Sequence, residues 1–215
     1  MHVLVISPHP DDESIGCGGT LRRHVAAGDT VLVVFLTSGE KGGHGLSEVE
    51  TIRVRELEAR LATQLLGIDQ IEFFHLPDGA VRITRQAVSR LRQLLIDFHP
   101  QTVYVPHSKE MHTDHRAAVR LLKNALRGIN GNGMRVLMYE IWTPLQRIDE
   151  IVDITPYLAI KRSAIRAHSS QCAVMDFEAA ALGLNRYRGE MHSWPGGDYA
   201  EVFCELRLSK GNHES

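Results

Sequence analysis

Two short stretches hold most of the residues in this chain that could carry chemistry. Between Ser7 and Thr20 it reads SPHPDDESIGCGGT, which crowds the imidazole of His9 against the carboxyl groups of Asp11, Asp12 and Glu13. Much later it reads His112-Thr113-Asp114-His115. Hydrolytic zinc sites take three protein ligands from His and carboxylate and leave one position for water. His9 and Asp12 lie three apart on a turn stiffened by Pro10, so both can face one crevice. If the second stretch borders that crevice, His9, Asp12 and His115 form a two-histidine, one-aspartate ligand set. Asp11 is then free to act as general base toward a metal-acidified water. His112 would face the substrate carbonyl, either polarising the oxyanion or protonating the leaving amine. Asp114 is a candidate to hold one of the imidazoles in the right tautomer. Together these groups suffice to hydrolyse an amide.

Each element also has a plainer reading. Asp11 or Asp12 could simply cap the helix that follows, though capping does not explain His9 or Glu13. An isolated HxxH is more often a pair of helix-surface histidines. What favours chemistry is the convergence of both stretches on one sheet edge. Gly16, Gly18 and Gly19 suggest a dinucleotide fingerprint, but that motif needs its first glycine directly after the strand and an acidic residue ending the next one. Here HPDDESI intervenes and the second strand runs into Thr37-Ser38, so close packing of the first helix explains the glycines better.

The elements that must position these residues follow from hydrophobic periodicity. Val3 to Ile6 reads as a buried strand, Asp12 to Ala27 as a helix, and Thr30 to Thr37 as a second strand, followed by the glycine-rich loop Ser38 to Gly45. Glu48 to Leu66 reads as an amphipathic helix with Leu57, Leu61 and Leu65 on its apolar stripe. A strand at Ile71 to Phe74 leads to the turn Leu76-Pro77-Asp78-Gly79. A helix from about Thr84 to Phe98, a strand at Thr102 to Val105 and a helix from Asp114 to Arg127 follow. Gly128 to Gly133 is a polar turn and Val136 to Ile141 a fifth strand. Such alternation specifies βαβ units, a mainly parallel sheet and right-handed crossovers. The pattern then loosens: a strand near Asp149 to Ile154, a helix from Thr155-Pro156 to about His168, a helix from Phe177 to Arg188, and a last strand from Tyr199 to Leu208. The expected architecture is a single α/β domain over residues 1–215 with an elaborated C-terminal third.

Bulk properties narrow the function classes. The chain has 215 residues, 43% hydrophobic and 23% charged, as an ordinary globular protein has. A formal net charge of −2 gives no electrostatic case for nucleic acid or an anionic membrane. Three widely spaced cysteines, Cys17, Cys172 and Cys204, argue against a disulfide framework and for a reducing compartment, hence a cytoplasmic protein. No secretory signal or membrane-length apolar run is visible.

HPDDE after the first strand with HxDH after the fourth resembles the LmbE-like zinc de-N-acetylases, relatives of the PIG-L type enzymes. Arg53-Val54-Arg55-Glu56 resembles the family's RxxE helix, and Leu76-Pro77-Asp78-Gly79 also matches. Tyr139 to Pro144, Val152-Asp153-Ile154, Lys161 and Ala167-His168-Ser169-Ser170-Gln171 resemble the branch containing the bacillithiol-pathway N-acetylglucosaminyl-malate deacetylases. Arg188-Gly189 and Tyr199 to Phe203 resemble the usual ending. Thr113 replaces the proline often seen in HPDH.

This resemblance implies a Rossmann-like fold and one zinc ion per chain on His9, Asp12 and His115. It also implies Asp11 as base and His112 as electrophile or acid, with Arg53 as a substrate-hydroxyl ligand by analogy. The implied substrate is an N-acetylglucosamine-type group on a small glycoside, and the implied assembly a homo-oligomer, hexamers being common in the family. A His2-Asp site also accepts iron or cobalt. Two other readings use the same residues: an amidase for a larger amide such as a thiol conjugate, and a non-catalytic sugar- or nucleotide-binding module.

Overall fold

The computed structural model describes residues 1–129, 133–192 and 197–207. Its sheet has the order β3-β2-β1-β4-β5-β7-β6. The strands are β1 (His2–Ser7), β2 (Thr30–Phe35), β3 (Gln70–Phe73), β4 (Thr102–Pro106), β5 (Arg135–Tyr139), β6 (Glu150–Asp153) and β7 (Ala200–Glu205). The first five are parallel, and β7 joins β5 and β6 antiparallel. The order 3-2-1-4-5 is that of the Rossmann arrangement, whose direction reverses between β1 and β4. Ligands bind at such a reversal, beyond the carboxyl ends of the strands. HPDDE follows β1 and HTDH follows β4, so the topology brings both to the reversal.

Alternation along the strands builds a core on each face. Leu4, Ile6, Val34, Val103 and Val105 face one side, which is covered by α3 (Arg85–Phe98) and α4 (Thr113–Leu126). Val3, Val5, Val33, Phe35 and Tyr104 face the other. That side is covered by α1 (Asp12–Ala26), α2 (Glu48–Leu66) and α5 (Leu158–Ala167). Most boundaries agree with the expected ones to within a residue or two. Residues 130–132 of the polar turn and Leu208, the last residue of the expected final strand, lie outside the described residues.

Three features depart from expectation. The helix expected over Asp12 to Ala27 is broken at Cys17, whose φ of −145° is not helical. The backbone amides of Gly19 and Thr20, just past the break, donate to the Glu201 carboxylate at 2.9 and 2.7 Å. Lys161 completes this node, donating to Glu201 at 2.6 Å and to the Ile15 carbonyl at 2.8 Å. Secondly, the helix expected from Thr155 opens as a 3-10 turn, Thr155–Tyr157, and Ser169–Cys172 forms a separate short helix, α6, ahead of α7 (Phe177–His192).

Thirdly, α2 turns its expected stripe outward: Leu57, Leu61 and Leu65 are 67%, 50% and 42% exposed. Its inward face is Thr51, Arg55, Glu58, Ala59, Ala62, Thr63 and Leu66. Small alanines admit α5 closely there, and Arg55 and Glu58 spend their charges on internal partners. The helix therefore follows polar bonding rather than its leucine pattern.

Two of the three α1 glycines, Gly16 and Gly19, answer to close packing, whereas a Cβ at Gly18 would make only ordinary contact, 3.5 Å from Lys161. A Cβ at Gly16 would stand 2.3 Å from the Tyr139 ring, and one at Gly19 would stand 2.6 Å from Ile154. Among the described residues no helix is long and apolar enough to cross a membrane, and all three cysteines are free.

Candidate active site

The two motifs meet beyond the ends of β1 and β4. Asp12 Oδ2 lies 3.2 Å from His9 Nδ1 and 3.2 Å from His115 Nε2. Ligand atoms of a tetrahedral zinc with bonds of about 2.0–2.1 Å lie about 3.3 Å apart, so these spacings suit a shared ion. His115 is fully buried, and although Asp12 and Glu110 face its two ring nitrogens, neither nitrogen makes a well-aligned hydrogen bond among the described residues. Buried polar atoms are seldom left so, and a cation would satisfy Nε2. One trio whose ligand-capable atoms all lie within 4.8 Å of one another is His9, His112 and His115, and Asp12 touches two of its members, His9 and His115.

Carboxylates stand behind these imidazoles. His9 Nε2 faces Asp78 Oδ1 at 3.1 Å and Asp114 Oδ2 at 3.3 Å. His115 Nδ1 faces Glu110 Oε2 at 3.7 Å. His9, Asp78 and Asp114 also form a metal-capable trio by spacing. Asp114, however, is tied into the turn after β3, accepting the Gly79 and Val81 amides at 2.7 and 3.1 Å. Asp78 likewise accepts the Lys41 amide at 2.9 Å. Carboxylates anchored in this way suit the outer partners that orient metal-binding histidines.

The electrostatics agree. Burial opposes protonation of His9, yet Asp114, Asp12 and Asp78 overturn it and hold this imidazole well above its usual range. Burial likewise opposes charge on His115, but Asp12 and Glu110 lift it to about 9. Burial raises the Asp12 carboxyl, and His115 and His9 more than reverse that, so it stays ionised. Such a cluster attracts positive charge, and protons and a metal ion compete for the same nitrogens.

Asp11 behaves differently. Its side chain makes no capping bond to α1, although it occupies the N-cap position. Its φ of 137° is one that side-chain-bearing residues rarely adopt, and a conformation of this kind costs about 1–3 kcal/mol and persists only where its surroundings impose it. Arg55 supplies part of that, donating to Asp11 Oδ2 at 3.0 Å and to the Pro10 carbonyl at 2.6 Å. Burial pushes the Asp11 carboxyl up to about 6, against the pull of Arg55 and with the help of Asp12. A carboxylate so poised is a competent base near neutral pH. His112 caps α4, its Nδ1 accepting the Asp114 amide at 3.3 Å, which leaves the proton on Nε2. Burial, then the charges of His9 and His115, hold this imidazole below its usual range, so it is neutral at pH 7.

Of the residues singled out by sequence, His9, Asp11, Asp12, His112, Asp114 and His115 come together. Arg53 does not. It lies on the exposed face of α2, where its charge acts on Glu50, and Arg55 reaches Asp11 instead. The helical period accounts for this, since two residues along a helix face nearly opposite ways. Asp78, Glu110 and Arg55 were not singled out as functional. Asp78 had a signal, a carboxylate in the turn at the same sheet edge; Glu110 had none.

A buried His-Asp cluster at the reversal point of a Rossmann-like sheet is the arrangement of a metal-assisted hydrolase. Residues 4–126 match the family model PIG-L, GlcNAc-PI de-N-acetylase, and the chain belongs to that family. It is 29% identical over 193 residues to a probable N-acetyl-alpha-D-glucosaminyl L-malate deacetylase of Bacillus anthracis, covering 80% of this chain and 82% of that protein. The diacetylchitobiose deacetylase of Pyrococcus horikoshii superposes with a TM-score of 0.84 at 28% identity, covering 95% and 83% of the two chains. A 4-carboxy-2-hydroxymuconate hydratase from a Pseudomonas superposes at 0.85 with 23% identity, covering 96% of each chain. That last likeness is one of fold alone, and it shows why the reaction must be argued from the site.

Proposed function

We propose that this chain, acting as one catalytic unit, is a zinc-dependent N-deacetylase that hydrolyses the acetamido group of an N-acetylglucosamine-type sugar on a small glycoside. Family membership supports the reaction class, and the named deacetylases among its relatives support the sugar. The observation that carries the reading is Asp12 Oδ2 at 3.2 Å from both His9 Nδ1 and His115 Nε2, with Asp11 beside it.

His9, Asp12 and His115 would hold the ion. When bound, zinc makes water acidic near neutral pH and draws electron density from a carbonyl oxygen. Asp11 takes one proton from the attacking water, and Arg55 steadies the resulting arrangement from behind. His112 directs its Nε2–H at the acetyl oxygen as negative charge grows there, the role of an oxyanion donor. Asp11 then returns its proton to the sugar nitrogen as the C–N bond breaks, so acetate and a free amine leave and the base is restored. The neutral state of His112 favours this electrophilic role over that of an acid. Asp114 holds His9, and with it the ligand geometry.

The test is acetate and free-amine release from a panel of N-acetylglucosaminides: the malate glycoside, the inositol glycoside and diacetylchitobiose. Release abolished by chelation and restored by zinc is the expected result. No release from any N-acetyl sugar by metal-loaded protein would reject this reading.

A further inference from the structure

The Ala167–Gln171 segment has no part in the chemistry above, yet it reaches the base. His168 is 1% exposed, at the junction of α5 and α6. Its Nε2 lies 3.1 Å from Glu13 Oε1. The other oxygen of Glu13, Oε2, accepts the backbone amide of Asp11 at 3.1 Å. Ser14 Oγ donates to Glu13 Oε1 at 2.7 Å. Glu13 is fully buried, so its two oxygens form a bridge from His168 to the peptide nitrogen of Asp11.

We infer that His168 is a positioning residue for Asp11: it fixes the Glu13 carboxylate, which pins the Asp11 backbone in its left-handed conformation and so aims the carboxylate at the reacting water. This rests on the reading of Asp11 as the base. Arg55 holds the Asp11 side chain and the Pro10 carbonyl, while Glu13 and His168 hold the peptide nitrogen. Asp11 is thus clamped from two sides by two different helices.

The anchorage of His168 fits a brace. Ser169 Oγ and the Ser170 amide donate to Glu58 Oε1 at 2.8 and 2.7 Å, and Ser170 Oγ to Glu58 Oε2 at 2.7 Å. Glu58 lies one helical turn beyond Arg55 on α2. Gln171 Nε2 donates to the Gly42 carbonyl at 3.0 Å, tying in the glycine-rich loop. Among the described residues His168 Nδ1 is buried without a hydrogen-bond partner, and the bond from Nε2 to Glu13 is the one hydrogen bond of the ring. One segment therefore references the base, the helix bearing Arg55 and the loop to one another.

The test compares His168→Gln, His168→Asn and His168→Leu in the zinc-loaded enzyme. Gln carries an N–H donor at about the reach of Nε2, Asn falls short, and Leu has none. The expected result is a kcat reduced ten- to a hundredfold in the Leu and Asn variants and restored to within a few-fold in Gln. KM and zinc content should be unchanged throughout. A Leu variant that keeps wild-type kcat would overturn the inference. So would a Gln variant no better than Leu, because the imidazole would then be needed for its charge or bulk. A crystal structure of the Leu or Asn variant provides an arm independent of turnover. Asp11 should relax from its positive φ, and an unmoved Asp11 also overturns the inference. If the wild type itself releases no acetate, the functional reading fails, and the structural arm still decides the positioning claim.

Discussion

Asp12 stands between His9 and His115, one carboxylate oxygen 3.2 Å from a nitrogen of each. No other carboxylate of the cluster touches both rings among the described residues, so Asp12 is the link between the two imidazoles and, on the proposed function, the hinge of the ligand set. Asp12→Asn, which keeps the shape and removes the charge, should lower zinc affinity by several orders of magnitude. In a zinc-saturated sample the thermal midpoint should fall relative to wild type, because a ligand bound only by the folded state stabilises it. Metal analysis after gel filtration, paired with thermal melts, checks both.

Asp11→Asn should separate binding from chemistry. On the proposed roles the general base is lost, which costs about 10²–10⁴ in rate, while His9, Asp12 and His115 are untouched, so zinc content should stay at the wild-type level. Single-turnover kinetics with metal analysis on the same preparation checks this.

Asp11 also predicts a pH dependence of stability in the metal-free protein. Its folded pKa of about 6 lies above the value of about 3.9 for an unfolded carboxyl. Between these values the folded state binds more protons than the unfolded state, so this contribution to stability falls as pH rises through the window. Metal-free Asp11→Asn should therefore gain stability relative to wild type as pH goes from 4 to 7. Urea unfolding across that range, in chelator, measures the difference.

Arg55 and Arg53 should part company. Arg55→Ala removes the cation that lowers the Asp11 pKa, so the acid limb of the rate profile should move to higher pH and kcat at neutral pH should fall. Arg53→Ala, on the exposed face of α2, should leave kcat and the profile unchanged. Rate profiles from pH 5 to 9 on both variants distinguish them.

Lys161 and Glu201 are both fully buried, and their bond anchors the broken α1. Lys161→Met leaves a charge unpaired in the core, which costs about 3–5 kcal/mol. Chemical denaturation should show a loss of that size, with little change in KM for protein that remains folded.

Much of this was legible in the residue pattern. Period-two apolar runs marked the strands, and βαβ alternation placed HPDDE and HTDH at one sheet edge, which is why His9, Asp12 and His115 were recognisable as partners. Local pattern failed where long-range polar bonds decide. Leu57, Leu61 and Leu65 have the period of a buried stripe, yet Arg55 and Glu58 turn the other face of α2 inward to meet Asp11 and Ser170. Arg53 was put forward by resemblance to the RxxE helix, and the residue that turns inward to Asp11 is Arg55, two positions on. Glu110 lies just ahead of the HTDH motif with no periodic signal of its own, and its place opposite His115 depends on the turn after β5, whose Ile141 amide it accepts at 2.8 Å.

The central claim is that one ion, held by His9, Asp12 and His115, works with Asp11 to remove an acetyl group. The most direct measurement titrates zinc into metal-free protein while acetate release from diacetylchitobiose, or the best substrate of the panel, is followed. The account predicts a rate that rises linearly to a break at one zinc per chain, with no rise in Asp12→Asn and normal binding without turnover in Asp11→Asn. Full activity without metal, or an Asp12→Asn variant that titrates like the wild type, would contradict it.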